Sequence, residues 1–436
     1  MDRLVGPDWL RRRRAGAYEE FGTTPLPSEK EEVWRYSPID QLDLDGYEPV
    51  TGPPDGPAAL EMARAFADGL AADMPGRSAL ALVHNGSPVS FDRVSLTEQV
   101  VFGGVRAGRS RELIGDVLVG GDALVRLNDA FFPDAVVLDV PPGARIEAPI
   151  VIVHWCDGAA STERPAPAAF PRTSVRVGRG ASVDVVEVVA GAPGDVGGLV
   201  VPVTELAVDD GAQLAYVSLQ VLGTGTWHLG RLAGRAGRDA RLRTFTVGLG
   251  GAYDRSRTDG ALVGQGGSSQ LRSAYLGTGD QIHDVRTLQD HVAPHTTSDL
   301  LCKGAVAGTS RSVYSGLIRV RHGAVRTEAM QTNNNLVLDE RAHADSVPNL
   351  DIEENDVRCS HASTVGPVDE DQQYYLESRG VPPERAEQLI VLGFFDDIVA
   401  RSPVPEAVGR LRREVILRLG DALGLGHGEA GGGSDG

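Results

Sequence analysis

The chain has 436 residues, a formal charge of −18 at pH 7, 54 glycines, 26 prolines and only 5% aromatic residues. This length predicts two or three folding units with a large core, and the glycine and proline content predicts many tight turns. The acidic balance disfavours nucleic-acid and anionic-membrane surfaces, because phosphate binding needs Lys and Arg to displace counterions.

The N-terminal stretch, residues 1–76, is expected to be helical and loop-like. "RRRR" at 11–14, beside Trp9 and Leu10, is expected to form the solvated face of a short helix. The Pro/Gly cluster "VTGPPDGPA" serves as a linker to "ALEMARAFADGLAADM", where Leu60, Ala63, Ala67 and Leu70 share one helical face. From Ser78 the pattern turns to strand, with Asn85-Gly86 as a hairpin signal.

Between about Val136 and Val365 short strands and turns alternate almost without interruption. Several runs open on a small turn followed by alanine: "PPGARIEAPIVIV", "GRGASVDVVEVV", "DDGAQLAYVSLQV" and "GRDARLRTFTVGL", with Ala144, Ala181, Ala212 and Ala240. A period near 30 with short strands in each unit predicts a solenoid, whose stacked coils share one core. The parallel β-helix is preferred to a β-sandwich with long loops, and residues 77–366 are assigned to this core with its lead-in segment. After Pro367 the pattern becomes helical. Asp369 and Gln372 resemble a capping box, and two further helices follow over "PPERAEQLIVLGFFDDIVARS" and "PEAVGRLRREVILRLGDALGLG". Residues 367–423 form the expected C-terminal helical domain and 424–436 a disordered tail.

Three widely spaced cysteines, Cys156, Cys302 and Cys359, do not suggest a disulfide framework and fit a reducing compartment. With no secretory leader pattern and no run of about 18 apolar residues, the expectation is a cytoplasmic protein. Cys359 and His361, two apart in an extended segment, project from one face and could bind metal, pair as nucleophile and base, or pack. A closed zinc or cluster site takes four ligands, so metal binding here would need the rest from elsewhere, such as another subunit. In "HDVRTLQDHVAPHTTSDLLCKG", His283, His291, His295 and Cys302 are better explained as turn or core residues, since Pro294 disfavours a helix. No phosphate-loop ending and no nucleophile elbow are present.

The run "KGAVAGTSRSVYSGLIRVRHGAVRTEAMQTNNNLVLDERAHADSVPNLDIEENDVRCSHASTVGPVDEDQQYYLESRGV", from Lys303 to Val381, resembles the SufB/SufD family of iron–sulfur cluster assembly scaffolds. The likeness extends to "FFPDAVVLDVPPGARIEAPI" and to "PLPSEKEEVWRYSPI" near the N-terminus. Within the family the SufD branch is favoured, because Asn333 in "MQTNNNLVLD" stands where SufB-like chains carry a cysteine. Ala362 replaces the glycine that usually follows the histidine.

The resemblance implies a right-handed parallel β-helix flanked by N- and C-terminal helical regions. It implies a non-enzymatic scaffold subunit that forms a heterodimer with a SufB-like paralogue and binds a SufC-like ABC ATPase. His361, with Cys359 in a less defined role, would contribute to a nascent iron–sulfur cluster shared transiently with SufB. A flavin is a further cofactor that such a complex could hold. Tyr375, Arg379, Gly380, Phe394 and Phe395 are the expected SufC-docking residues. The alternatives are a homodimer that binds a cluster alone and a β-helix enzyme acting on polysaccharide; low aromatic content argues against the latter.

Overall fold

A computed structural model describes residues 4–52, 60–118, 120–160 and 165–422. The expected disordered tail and most of the expected linker lie outside the described residues.

Two sheets face each other, and the chain visits them alternately. The front sheet begins with the antiparallel hairpin Ala79–His84 and Ser87–Arg93, in which Asn85 and Gly86 take positive φ. It continues through Ile150–Trp155, Ser182–Ala190, Gln213–Val221, Arg241–Gly248, Ser268–Gly277, Thr297–Val306 and Glu328–Val337 to Arg358–Gly366. The back sheet runs from Val101–Gly103 and Val136–Val140 to Ile282–His291, Arg311–Val320 and His343–Ile352. Strands added after the front-sheet hairpin and after Val136–Val140 pair in parallel with the strand one coil earlier. This is a parallel β-solenoid, and the sandwich alternative is set aside.

The turns explain the repeated alanines. Each front-sheet strand from Ser182–Ala190 to Glu328–Val337 is preceded by a residue of positive φ: Gly180, Gly211, Asp239, Gly266, His295 and Arg326. Their N–H groups donate to the turn carbonyls of the next coil, as from Gly180 to Asp210 (3.0 Å), Gly211 to Arg238 (2.7 Å) and His295 to Val325 (2.8 Å). Ala181, Ala212 and Ala240 follow directly and are buried under this stack, where a larger side chain would meet the neighbouring coil.

Seven α-helices lie among the described residues: α1 (Asp8–Thr23), α2 (Glu61–Asp73), α3 (Ser110–Leu113), α4 (Ala123–Phe131), α5 (Glu370–Ser378), α6 (Pro383–Val399) and α7 (Val408–Ala422). Helices α2, α6 and α7 bury the outer face of the front sheet, where Val186, Val217, Phe245 and Leu276 meet Leu70, Phe395, Leu411 and Leu419. The early front-sheet strands are thus largely apolar on both faces, as "SVDVVEVVA" shows. Asp369 caps α5 by accepting from the Gln372 N–H at 3.0 Å, as the capping signal predicts.

The arginine run departs from expectation. Arg11 and Arg12 are exposed, but Arg14 is buried and donates to the carbonyls of Phe132 (2.8 Å), Pro133 (2.6 Å) and Val5 (3.1 Å). Burial lowers its pKa to about 10. Arg13 pairs with Asp129 of α4 at 3.0 Å. Half of the run therefore fastens α1 to α4, because buried carbonyls and a carboxylate satisfy guanidinium donors that solvent does not reach.

Candidate functional site

The last strand of the front sheet, Arg358–Gly366, is paired on one side only among the described residues. It lies in register with Glu328–Val337, placing Cys359 beside Ala329, His361 beside Gln331, Ser363 beside Asn333 and Val365 beside Asn335. Ala329, Gln331, Asn333 and Asn335 are buried and face between the sheets. By strand alternation Cys359 and His361 continue two of these interior columns to the open end of the solenoid.

Backbone pairing sets the direction of the remaining polar groups. Arg358 N–H donates to Thr327 O at 2.9 Å, so the even-numbered residues of this strand direct N–H and C=O inward along the sheet. In a parallel ladder the odd-numbered residues then direct theirs to the free edge. Cys359, His361 and Ser363 thus carry both the interior-facing side chains and the unpaired backbone groups of the end strand.

The two candidate ligands differ in setting. Cys359 is half-buried against the cluster of Ile318, Val320, Ala324 and Ala329, and this desolvation raises its thiol pKa. It also lines one end of a groove of about 890 Å³ on the front sheet, with Arg358, Met330, Arg241 and Arg243 along it. His361 is exposed. Among the described residues no group of three His, Cys, Asp or Glu side chains is arranged to hold a metal ion. Asn333 lies one coil inside this strand, fully buried, and donates to Ser346 Oγ at 2.7 Å.

The second histidine group is dispersed. His283 lies between the sheets with Nδ1 3.2 Å from Asp254, which also holds His228 Nδ1 at 2.7 Å. His291 is buried with Thr296 (2.8 Å) and Ser298 (2.9 Å), and burial lowers its pKa to about 4. His295 is the left-handed residue of its turn. Cys302 is buried between the sheets, where burial pushes its thiol up to about 12.

The expected docking residues separate into two groups. Tyr375 is 58% exposed and its ring lies under Arg379 at 5.3 Å, with Gly380 at φ +86 ending that helix. Tyr374, which no sequence motif singles out, is 74% exposed beside it. Phe394 and Phe395 instead face the solenoid. Phe395 is 1% exposed in the core beneath α6 and offers no surface, because the helix spends this ring on the front sheet. Phe394 packs edge-on against it, under Lys303 at 4.6 Å.

Two clamps join segments too far apart in the chain for any sequence pattern to mark. Lys303 Nζ reaches Asp397 at 2.7 Å and the Phe394 carbonyl at 3.0 Å, joining a solenoid strand to α6. On the back sheet, Arg255 lies 3.6 Å over the Trp34 ring and donates to Val33 O at 2.8 Å, while Arg286 donates to Arg35 O at 2.6 Å. These contacts give the "EEVWRYS" segment its physical purpose, which is to seat the N-terminal region against the back sheet.

Residues 159–394, more than half of the chain, match the family described as SUF system FeS cluster assembly, SufBD core domain. The chain belongs to the SufBD core family. An iron-sulfur cluster assembly SufBD family protein of Mycobacterium tuberculosis is 38% identical over 51% of this chain and 58% of its own length. The match therefore spans little more than half of that relative. The iron-sulfur cluster assembly protein SufD of Escherichia coli is 26% identical over 92% of this chain and 90% of its own length. SufD of Bacillus subtilis is 32% identical over 50% of this chain and 49% of its own. Relatives that carry the SufD name mark this member of the SufBD family as SufD-like. Among the described residues no helix is long and apolar enough to cross a membrane.

Proposed function

We propose that this SufD-like chain is a scaffold subunit that builds a nascent iron–sulfur cluster jointly with a SufB-like paralogue. The observation that carries the reading is the end strand, on which Cys359 and His361 share a face and their backbone groups point to an unpaired edge. A partner strand added there would satisfy those groups and place its own side chains beside the imidazole. A neutral imidazole ligates iron through a ring nitrogen, so His361 is assigned as a ligand to the cluster as cargo. Cys359, held in apolar contact, is the second candidate.

A SufC-like ATPase would dock on the exposed face of α5 around Tyr375, Arg379 and Gly380. Nucleotide-driven pairing of two such ATPases would pull on α5 and α6 and strain the interface, opening it to iron and sulfide. Hydrolysis belongs to that partner, so the chain itself is no enzyme, and the complex is cytoplasmic. The free edge also supports a second reading, a homodimer closed through the same strand.

Co-expression with the neighbouring SufB-like and SufC-like chains, followed by stoichiometry and iron and sulfide analysis, tests the proposal. His361→Ala is expected to leave the complex intact and to abolish or sharply reduce cluster formation. Unchanged cluster content in the intact complex would remove His361 from the site.

A further inference from the structure

The interior of the solenoid changes character along its length. In the early coils Val136, Leu138, Ile150, Val185 and Leu206 pack between the sheets, and the polar groups buried among them are paired: Glu187 accepts from Thr204 Oγ at 2.9 Å and lies 2.9 Å from His154 Nε2, with Thr173 and Tyr216 also bonded to it. In the last coils the inner face carries amides. Gln331, Asn333 and Asn335 line the inner face of Glu328–Val337, and Gln289 lies on the inner face of Ile282–His291. Their residues are 0%, 0%, 3% and 1% exposed.

Many of these amide atoms have no hydrogen-bond partner among the described residues: both Nε2 and Oε1 of Gln289, Oε1 of Gln331, Oδ1 of Asn333 and Nδ2 of Asn335. Buried polar atoms in native proteins are almost always paired, and leaving this many unmade would offset a large share of a domain's net stability. Gly260 leaves space beside Gln289, whereas at Gly304 and Gly316 the Tyr275 ring and the Gln331 amide already fill it. A side-chain carbon added at Gly260 would come within 3.4 Å of the Gln289 amide. The cluster also has a route outward, since Asn333 donates to Ser346 Oγ and Ser363 Oγ donates to the same atom, both at 2.7 Å. Ser363 belongs to the exposed end strand, next to His361 on its inner face.

We propose that the last coils enclose a file of ordered water molecules bonded to Gln289, Gln331, Asn333 and Asn335, with its outlet beside Ser363 and His361. The unpaired set mixes donors and acceptors and carries no charge. An ion would select donors or acceptors alone, whereas water uses both and makes two to four bonds. This inference is independent of the assembly role.

Oxygen-17 magnetic relaxation dispersion on the intact chain counts internal waters of long residence, and thermal unfolding of Gln289→Met supplies the second readout. Methionine matches glutamine in length but cannot bond water. A hydrated core predicts long-lived waters in the wild type, fewer in Gln289→Met, and a lower Tm for the variant. Absence of long-lived waters in the wild type overturns the proposal, and so does a Gln289→Met chain with a raised Tm, which a dry, unpaired amide would give. The wild-type count stands alone should the variant fail to fold.

Discussion

Replacing Lys303 with methionine isolates the joint between the solenoid and the C-terminal helices. Lys303 is 7% exposed, and its ammonium lies over the Phe394 ring while it bonds the Phe394 carbonyl and Asp397. Methionine keeps the stem's packing and removes only the charge. A charge-assisted bond to a carbonyl contributes about 1.5–3 kcal/mol, and the ring contact about 0.5–2. The Asp397 pair adds at most about 1 kcal/mol, because that carboxylate is 44% exposed and screened. These contributions share one ammonium and do not add, and relief of its desolvation offsets part of the loss. The net expectation is a cost of about 2 kcal/mol, concentrated in α6. Opening of α6 as a local unit would then become about 30-fold more frequent. Amide hydrogen exchange across residues 383–399 is the assay, with front-sheet peptides of the early coils as the internal reference. Unchanged exchange in α6, or acceleration spread evenly over the solenoid, would refute the claim that Lys303 fastens this helix.

Burial holds the folded-state pKa of His291 at about 4, against about 6.5 unfolded. Its contribution is complete above pH 6.5 and is lost as pH falls toward 4, by roughly 3 kcal/mol at most, since only the unfolded chain takes up the proton there. Asp290 beside it limits the shift, and Asp290 is itself held by Arg321. Urea melts at pH 7, 5.5 and 4.5 should therefore show a shallower pH slope in His291→Gln than in the wild type; an equal slope would sink the assignment. A methyl group at Gly304 would overlap the Tyr275 ring, which is stacked on His283 and bonded to Asn335. Gly304→Ala should cost about 1–3 kcal/mol or more by overpacking, while Gly366→Ala, with nothing near, should leave Tm unchanged. Ser363→Pro removes an N–H that points to the free edge, so the isolated chain should keep its Tm within a few degrees while partner capture by the end strand fails. Capture at wild-type strength would argue that partners do not add a strand there.

Local periodicity makes the solenoid legible in the sequence. Turn-alanine signals, the Asn85-Gly86 hairpin and the Asp369 cap each depend on neighbours a few residues away, and each appears where the pattern predicts. The pairing of Cys359 with His361 on one face is legible for the same reason, because side chains two apart on a strand project together. Beyond local pattern lies the side of the wall that each residue faces. In the early coils both faces of the front sheet are mostly apolar, so alternation there carries little mark of inside and outside.

Composition and the repeat near 30 therefore determined the fold class, and the run from Lys303 to Val381 the family that this chain resembles. Tertiary structure alone decided that Arg14 is buried among carbonyls, that Phe395 is spent on the core, and that His283 and His291 lie between the sheets. It alone placed Cys359 and His361 on the terminal strand, at an open edge of the front sheet among the described residues. The physical reason is range. Turn conformation and side-chain alternation along a strand are set by near neighbours, whereas burial and exposure depend on which coil comes last and which helix covers which face.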